Sequence, residues 1–408
     1  MADLQQMSKS ESFQVFIATE IRLHRDEGGR LRAAHSAAGY DYWRQYVRAY
    51  GSVQILGRVD TERISDSGPL VEGPGVTVVG LPDYHGFWGL LCTIGRVFGR
   101  LREVGDETSL FVVRLPEAIS LATYWRARRC RGFLLARVVS NGGQLMRAMF
   151  APPLGHLSGC VADLAMKWCV KHSTAVVYVT TQWLQTRYPA RPGTPTFVRS
   201  DFATGSGAFV SRARSSPVAD ARPLRLIAVG TLEKTYKGFD FLVEVTNRLV
   251  MNGFNVTLDV VGGGRHLDDL TGQVRRLGMG SRVRLHGQIH ERSALVALLD
   301  SADLFMSGSR VEGLPRATLE AMARALPVVS TRAGAVCEIL DPACIVPIDD
   351  AESFSRAATH LLSVPDAYAR ASASNLATAR RIAELSNDDL FVEFLGSIWQ
   401  RQPIEDSR

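Results

Sequence analysis

Short apolar runs rich in β-branched residues alternate with longer amphipathic segments along the first half of the chain. Runs of this length and composition are typical of buried strands in a parallel sheet, and the segments between them favour helices. The strand candidates lie at residues 13–19, 52–59, 76–82, 109–116 and 174–181, and the helical candidates include 40–50 and 158–171. Strands that alternate with helices predict a parallel sheet that is covered on both faces.

A stretch rich in Gly, Ser, Pro and Ala, residues 203–223, interrupts this alternation and has the composition of a linker. The pattern then restarts more regularly, and the tail from about residue 380 has helical periodicity with an apolar face. The strands predicted in the second half are 224–230, 256–264, 283–287, 302–309 and 327–331, with helices near 238–252, 267–277, 291–301 and after Pro315. We therefore predict two α/β domains, 1–202 and 224–380, a linker at 203–223 and a returning helix in 381–408.

The composition indicates a globular protein and a reducing compartment. A chain of 408 residues is long enough for two or three domains, and 46% hydrophobic with 22% charged residues is an ordinary globular content. The six cysteines include no Cys-x-x-Cys pair, which favours reduced thiols in the cytoplasm over a disulfide framework. The first residues lack the apolar core of a signal peptide, and we expect no membrane-spanning helix.

The net charge of +6 raises the question of an acidic partner. The densest basic run, Arg126 to Arg137, is short and interleaved with apolar residues. A solvated helix face, contact with an anionic membrane surface and contact with a phosphorylated acceptor all remain open for this run. No motif that reads nucleic acid accompanies it, so we expect no nucleic-acid partner.

Two glutamates, Glu312 and Glu320, stand eight positions apart on either side of the sequence Gly-Leu-Pro. Pro315 suits the first turn of a helix, and the free N–H groups at a helix start bind phosphate. Paired carboxylate oxygens suit vicinal hydroxyls, so the spacing predicts an anion site bracketed by two hydroxyl-binding acids. Ordinary helix-surface ion pairs of Glu320 with Arg316 and Arg324 are the alternative interpretation.

A second segment, residues 229–242, supplies cations near the same place. Only five of the 47 basic residues are lysines, and two of them, Lys234 and Lys237, fall in this loop between a strand and a helix. A positive charge opposite a helix N-terminus neutralises a diphosphate and stabilises it as a leaving group. Exposed loop lysines without a ligand are the alternative interpretation.

Five segments that occur in order resemble the donor half of a GT-B glycosyltransferase of the retaining family 4, whose signature is two glutamates separated by seven residues. The segments are "VGTLEKTYKGFDFL", "VVGGG", "VRLHGQI", "LLDSADLFMSGSRVEGLPRATLEAMARALPVVST" and "GAVCEIL". The resemblance implies an α/β chain of the GT-B class, in which two Rossmann-like β/α/β domains face a central cleft. It also implies that a C-terminal helix crosses back to the N-terminal domain.

The resemblance implies a reaction as well. A hexose would move from a UDP- or GDP-sugar to a hydroxyl of a glycan, lipid-linked or secondary-metabolite acceptor, with retention of configuration and without a metal or cofactor. The catalytic roles carry onto Glu312, which positions the donor sugar, and onto Lys237, which binds the diphosphate. The further donor-binding residues that the resemblance implies are Glu320 for the ribose, Gly230, Gly262, Gly313 and Leu314.

The chain departs from the family pattern directly after Gly230. Many members have an arginine there, where this chain has Thr231, and the spacing to Lys237 is one residue longer. A second cation is therefore missing from its usual place. Lys234 and Arg310 are the two candidates to replace it, and both are predicted, together with Thr231, to lie at the donor.

The N-terminal half resembles the family only loosely. A glycine-rich loop after the first strand lines the cleft in these enzymes, and Gly28 with Gly29 is the counterpart here. On the acceptor side the prediction is His24, with His35 and His156 as alternatives. A basic, partly apolar N-terminal half fits lipid-linked saccharides and exopolysaccharide intermediates as acceptors, and a small secondary metabolite fits nearly as well. We expect the enzyme to work in the cytoplasm, with the inner face of the membrane as an option.

Two other enzyme classes share features with the second half. A nicotinamide-dependent oxidoreductase is suggested by "VVGGGRHLDDL", but the third glycine of its fingerprint would fall on Leu267 and no acidic residue ends a strand near 282. A nonhydrolysing sugar-nucleotide epimerase shares the general fold. Both remain as alternatives to the transferase.

Overall fold

The computed structural model describes residues 14–34, 39–202, 207–217 and 223–398, except for the side chains of Glu62, Arg63 and Phe87. Within these ranges the chain forms two sheets with helices around them. The predicted linker, 203–223, therefore lies partly outside the described residues, as does His35.

The first sheet contains eight strands of the described residues, in the order β4-β3-β1-β5-β6-β7-β8, with β2 antiparallel to β1 at one side. The remaining pairs are parallel. The strands are β1 (Val15–Arg25), β2 (Leu31–Ala33), β3 (Val53–Ile64), β4 (Val76–Pro82), β5 (Leu110–Leu115), β6 (Phe133–Val138), β7 (Ala175–Tyr178) and β8 (Thr196–Val198). Parallel strands need helical crossovers, so both faces of this sheet are covered.

Helices cover both faces of the first sheet. They are α1 (Tyr40–Tyr50), α2 (Gly86–Leu101), α3 (Ala118–Cys130), α4 (Gly142–Met149), α5 (Leu154–Lys171) and the short α6 (Trp183–Arg187). Side chains of α2, α3 and α5 share one buried cluster with Phe111 and Val113 of β5. Side chains of α1 share the other cluster with Leu110 and Val112 of the same strand. Successive side chains of β5 therefore point to opposite faces of the sheet, and the helices form one layer on each face.

The second sheet contains six parallel strands of the described residues, in the order β11-β10-β9-β12-β13-β14. They are β9 (Leu224–Val229), β10 (Val256–Val261), β11 (Val283–Leu285), β12 (Leu304–Ser307), β13 (Val328–Thr331) and β14 (Ile345–Val346). The helices that follow them are α7 (Phe239–Met251), α8 (Leu267–Arg276), α9 (Arg292–Ser301), α10 (Arg316–Ala323) and α11 (Ala351–Ser363). Every strand predicted in this half is present in the structure.

Two C-terminal helices connect the halves. They are α12 (Pro365–Leu385) and α13 (Asp388–Ile398). Phe391 of α13 packs edge-on against Tyr46 of α1, with ring centroids 5.7 Å apart, and Leu395 and Ile398 are buried beside it. Helix α12 runs without interruption past residue 380, since no Gly or Pro occurs between 366 and 395. The return to the first half therefore begins at Ser386, later than the sequence pattern suggested.

The basic run Arg126 to Arg137 is not one surface. Its first part is the end of α3, whereas its last part is the buried central strand β6. Arg137 is only 1% exposed, and its guanidinium donates to the carboxylate of Asp201. The strand was hidden in the sequence because its short apolar run lies between arginines.

No helix among the described residues has both the length and the hydropathy needed to cross a bilayer.

Candidate functional site

Each sheet has a cavity at the point where its strand order reverses, which is where open α/β sheets bind ligands. The larger cavity, of about 830 Å³, lies beyond the carboxyl ends of β9, β10 and β12. The smaller, of about 430 Å³, lies beyond the ends of β1 and β5 and extends to the second half. The residues that line both cavities are Tyr236, Lys237, Glu312, Leu314 and Arg316. The two cavities therefore meet at the predicted catalytic pair.

Most of the donor-binding residues predicted from the sequence line the larger cavity. They are Gly230, Thr231, Lys234, Lys237, Gly262, Glu312, Leu314 and Glu320. Gly313 lines the smaller cavity instead.

Lys237 is presented by a tight turn at the end of β9. Residues Thr235–Lys237 form a 3-10 turn, and Gly238 follows it in the left-handed conformation with φ of 68° before α7 begins. A Cβ on Gly238 would lie 2.0 Å from the carbonyl oxygen of Gly308, so the turn packs directly against the loop after β12. The N–H of Arg310 donates to the carbonyl of Tyr236 at 2.7 Å and ties the two loops together.

We expect Gly238→Ala to destabilise the protein more than Gly253→Ala. Both glycines have positive φ, which costs an alanine about 1–2 kcal/mol. Only Gly238 abuts a carbonyl, whereas nothing lies within 4 Å of a Cβ on Gly253, so overpacking adds about 1–3 kcal/mol at Gly238 alone. Denaturant unfolding of the two variants measures the difference, and equal losses would contradict the close packing of the Lys237 turn.

Lys237 and Glu312 form an ion pair at the junction of the cavities. The ammonium nitrogen lies 2.6 Å from Oε1 of Glu312, and the hydroxyl of Ser309 donates to the same oxygen at 2.7 Å. The side chains are 23% and 14% exposed, so both charges are largely shielded yet face the open space. A charged ligand entering here meets a cation and an anion that are held in fixed positions.

Arg310 does not replace the cation that is missing at position 231. Its guanidinium donates to Asp349 at 2.8 Å, to Asp240 at 3.0 Å and to the carbonyl of Thr235 at 3.0 Å. Two carboxylates hold the pKa of Arg310 well above its usual range. The sequence prediction of a donor contact is therefore corrected: Arg310 fixes the turn that carries Lys237. Lys234 does line the larger cavity.

Two glycines line the larger cavity at the ends of β9 and β10. Gly262 has a φ of 151°, and a Cβ there would lie 1.7 Å from the carbonyl oxygen of Gly230. At Gly230 itself a Cβ would meet the Phe239 ring at 3.3 Å. The hydroxyl of Thr231 accepts from the N–H of Glu233 at 3.2 Å and shapes the same loop. A Cβ at Gly262 would collide with the backbone, so glycine is needed for the loops after β9 and β10 to pack this closely.

Glu320 lies on α10, at the edge of the larger cavity. Helix α10 begins directly after Pro315, and its first residues, Arg316 to Thr318, also line the cavity. The first N–H groups of a helix have no partner within it, so this end attracts anions. Burial raises the pKa of Glu320, although the charges of Arg316 and Arg292 oppose that shift.

The smaller cavity is lined by charged groups of both signs. Its carboxylates belong to Glu20, Glu117, Asp201 and Glu312, and its cations to Arg114, Lys237 and Arg316. Arg114 donates to Glu117 at 3.1 Å, to Asp201 at 3.4 Å and to the Tyr42 hydroxyl at 2.6 Å. Arg114 is therefore already saturated by partners from its own half.

Burial and pairing set the protonation of this network. Burial raises the pKa of the Tyr42 hydroxyl to about 12 and also raises the pKa of Glu117. Burial acts in the same direction on Asp201, but Arg137 and Arg114 outweigh it and hold the pKa of Asp201 well below its usual range. The Glu20 carboxylate accepts from the Tyr84 hydroxyl at 2.6 Å and from the N–H of Ile119 at 2.9 Å.

The structure does not bring the predicted acceptor-side residues Gly28, Gly29 and His24 into either cavity. His24 is 1% exposed on β1 and contacts the carbonyl of Ser67 at 2.9 Å. Gly28 and Gly29 form an exposed turn between β1 and β2. The alternative His156 is exposed near the start of α5. The prediction that a glycine turn lines the cleft here is corrected, because β1 continues past the point expected for its end.

The position expected for that turn is occupied by residues 19–21. Strand β1 pairs with β5 only up to Ala18, and its pairing with β3 is irregular between Ala18 and Arg22. Thr19, Glu20 and Ile21 leave the ladder there and line the smaller cavity. Residues 19–21 contain no glycine or proline, so the sequence did not indicate a bulge in this strand.

The two halves touch beside the catalytic pair and at a second point farther along. A Cβ on Gly313 would lie 2.0 Å from the carbonyl oxygen of Val139, so only glycine fits between the halves. Glu338 accepts from the N–H and hydroxyl of Thr181 at 2.7 and 2.6 Å, from the N–H of Gln182 at 3.0 Å and from the N–H of Trp183. A carboxylate of the second half thus caps the start of α6 in the first.

Comparison with known proteins gives a family match to part of the second half and a relative over most of the chain. Residues 223–364 match the family described as glycosyl transferases group 1. Protein CapJ of Staphylococcus aureus is 21% identical over 299 residues, which cover 72% of each chain.

Solved structures share the architecture over almost the whole length. Sucrose-phosphate synthase from Thermosynechococcus elongatus superposes with a TM-score of 0.69 at 19% identity, over 95% of this chain and 98% of the other. HepE from Anabaena, in complex with UDP, has a TM-score of 0.62 at 15% identity, over 94% and 100% of the two chains. At these identities the similarity establishes a common fold.

Proposed function

We propose that the chain, whose residues 223–364 match the group 1 glycosyl transferases and whose fold is that of the GT-B enzymes, is a glycosyltransferase that transfers a hexose from a UDP- or GDP-sugar to a hydroxyl acceptor with retention of configuration. The observation that carries this proposal is the Lys237–Glu312 pair, which stands where the two switch-point cavities meet. Polysaccharide, glycolipid or natural-product biosynthesis in the cytoplasm is the setting that we propose.

The larger cavity has the groups that a nucleotide-sugar requires. The first N–H groups of α10, together with Lys237, Lys234 and Arg316, suit a diphosphate. The Glu320 carboxylate suits the two ribose hydroxyls, and Gly262, at the end of β10, lines the same cavity. HepE, which has the same fold, was solved in complex with UDP, and this supports a nucleotide as a ligand of the present chain.

In the proposed reaction the bond between the anomeric carbon and the diphosphate breaks, and the leaving diphosphate gains negative charge. Lys237 and the α10 amides stabilise that charge. The acceptor hydroxyl attacks from the face that the diphosphate leaves and gives its proton to a departing phosphate oxygen, so configuration is retained. Glu312 accepts hydrogen bonds from hydroxyl groups of the donor sugar and so fixes the orientation of the sugar. The proposed reaction uses no metal.

The lining of the smaller cavity supports an uncharged, hydroxyl-rich acceptor. Arg114, the cation that this half contributes, is already bound by Glu117 and Asp201. The carboxylates of Glu20, Glu117 and Asp201 would repel a phosphate and accept from hydroxyl groups. We therefore propose a neutral sugar as the group that enters this cavity, in contrast to a sugar phosphate.

A panel of nucleotide-sugars, each incubated with the enzyme without acceptor, tests the donor assignment. We expect slow hydrolysis of one UDP- or GDP-sugar, unchanged by EDTA, with product of retained configuration by NMR. Binding of NAD(P) in place of every nucleotide-sugar would favour the oxidoreductase, and interconversion of the donor sugar without its release would favour the epimerase. With the donor known, glucose and glucose 6-phosphate form a matched acceptor pair, and faster transfer to the phosphate would contradict the acceptor assignment.

Glu320→Gln is expected to weaken nucleoside diphosphate binding and to remove its dependence on pH in the acidic range. In the wild type, the affinity for the nucleoside diphosphate falls as the pH drops through the raised pKa of Glu320. The reason is that a protonated carboxyl accepts hydrogen bonds from the ribose hydroxyls less well than a carboxylate does. This loss of affinity begins at a higher pH than the protonation of a glutamate in water would give. Calorimetric titration of both proteins across this range measures the effect.

The same substitution is expected to stabilise the empty enzyme at neutral pH. A carboxyl with a raised folded-state pKa favours folding fully below its unfolded pKa, and that advantage is lost as the pH rises through the folded value. The glutamine variant has no such loss, so its Tm should exceed that of the wild type at neutral pH and converge with it in acid. A lower Tm at neutral pH would contradict a half-buried Glu320 whose charge is unfavourable in the empty cavity.

A further inference from the structure

Exposed apolar side chains concentrate on one layer of the first half. Of the seventeen large hydrophobic side chains that are exposed in the described part of the chain, ten lie on helices α2 to α5. These ten are Trp88, Leu91, Phe98, Trp125, Met149, Leu154, Leu157, Val161, Leu164 and Trp168. We call the outer surface of α2, α3, α4 and α5 the helical face. Contiguous apolar surface of this kind marks an interaction site.

Helix α5 is apolar on two sides. Met166, Cys169 and Val170 face the core, as expected for a crossover helix. On the opposite side Leu154, Leu157, Val161, Leu164 and Trp168 recur at i, i+3, i+7, i+10 and i+14, and they are 37–67% exposed. At 1.5 Å per residue this stripe is about 21 Å long. The packing of α5 on the first sheet does not require this second side to be apolar.

The helices of this face form one continuous surface. Trp125 of α3 stacks on Trp168 of α5, with ring centroids 5.3 Å apart and an interplanar angle of 21°. The guanidinium of Arg128 lies 5.7 Å from the Trp168 centroid. Trp88, near the start of α2, is 77% exposed. Tryptophan and arginine side by side at a surface are typical of the interfacial region of a bilayer.

The charge on this face is predominantly positive. Helices α2 to α5 carry eight basic residues and one acid, although the whole chain has 41 acids against 47 basic residues. The one acid, Asp163, is buried and bound by Arg147 and Arg187. Two acids stand at the ends of these helices: Glu103 lies 3.7 Å from Arg100 after α2, and Glu117 precedes α3.

From these observations we propose that the helical face docks on an anionic lipid bilayer. The leucine and tryptophan side chains enter the interface, and Arg and Lys contact the anionic headgroups. A second copy of the chain fits less well, because a two-fold contact would place basic residues against basic residues. The positive charge of the face complements anionic lipid headgroups, and its apolar stripe complements the acyl chains beneath them.

The docked orientation has a consequence that rests on the proposed function. Helices α2 and α3 begin directly after the carboxyl ends of β4 and β5, at the edge of the sheet that faces the cleft. Docking therefore brings the smaller cavity close to the bilayer surface. A hydroxyl acceptor that is anchored in the membrane by a lipid can then reach the Lys237–Glu312 pair.

Sedimentation with lipid vesicles tests the docking without any substrate. We expect the full-length protein to bind vesicles of phosphatidylcholine with phosphatidylglycerol, to bind phosphatidylcholine vesicles weakly and to be released by salt. The double variant Leu157→Glu/Leu164→Glu should bind at least about tenfold more weakly, because it puts acids into the exposed stripe. The matched variant Met251→Glu/Leu277→Glu alters two exposed apolar residues of the second half and should bind like the wild type.

Three results would overturn the docking proposal. They are equal binding to neutral and anionic vesicles, undiminished binding of the Leu157/Leu164 variant, and a dimer in solution that this variant converts to a monomer. The last would assign the face to a second copy. Donor hydrolysis in solution should be the same for both variants and the wild type, since neither touches the cavities, so failure of docking and failure of the transferase assignment remain distinguishable.

Discussion

Lys237→Ala is expected to lower kcat by about 10²- to 10³-fold while the protein stays folded, which is the usual loss when one preorganised group that stabilises developing charge is removed. The ammonium lies where the two cavities meet, and a packed glycine turn fixes its position. The charge on the leaving diphosphate grows in the transition state, so the loss should fall mainly on kcat and less on the donor KM. Release of nucleoside diphosphate gives both constants.

Lys234→Ala is the matched control, because Lys234 lines the same cavity on the same loop without forming the pair with Glu312. We expect a smaller effect that appears mainly in the donor KM. Circular dichroism and Tm should match the wild type for both variants. Equal losses for the two lysines, or a loss of Lys237→Ala activity that follows unfolding, would refute the special role of Lys237.

Glu312→Gln and Glu312→Ala are expected to lower kcat by about 10²-fold or more and to bind nucleoside diphosphate at least as tightly as the wild type. The pair at 2.6 Å engages the ammonium before the donor arrives, so a diphosphate must compete with Glu312 for Lys237. Without the carboxylate that competition ends, but the donor sugar loses the acid that orients it. Calorimetry with the nucleotide and turnover with the full donor separate the two effects.

The glutamine variant keeps the size of the side chain and an oxygen that accepts from Ser309, so packing is preserved. Ser309→Ala serves as a positioning control, and we expect a partial loss that Ser309→Thr restores. If Glu312→Gln abolishes nucleotide binding along with turnover, Glu312 holds the nucleotide, and its assignment to the sugar is wrong.

The donor side could be predicted because its residues come from continuous segments. Lys237 and Glu312 lie within two short stretches whose glycines, prolines and charges each have a local physical role. Arg316 was missed as a cavity residue, although it directly follows Pro315. It was interpreted only as an ion-pair partner of Glu320, because a helix-surface pair explains the same spacing.

The acceptor side could not be predicted, because its charges come from distant segments that only the fold brings together. Glu20, Arg114 and Asp201 lie far apart in the sequence and meet at the switch point of the first sheet. No local pattern marks any of them. The central strand β6 was hidden for a related reason, since Arg137 looks like a surface charge until Asp201 is seen beside it.

Glu338 is a strong link between the two halves. Its carboxylate belongs to the half that binds the donor, yet it caps α6 of the other half through several donors at once. Separation of the halves here would leave the carboxylate and all of its donors in need of new partners from water. We therefore expect this contact to be kept during turnover, so that the halves return to the same register after each product leaves.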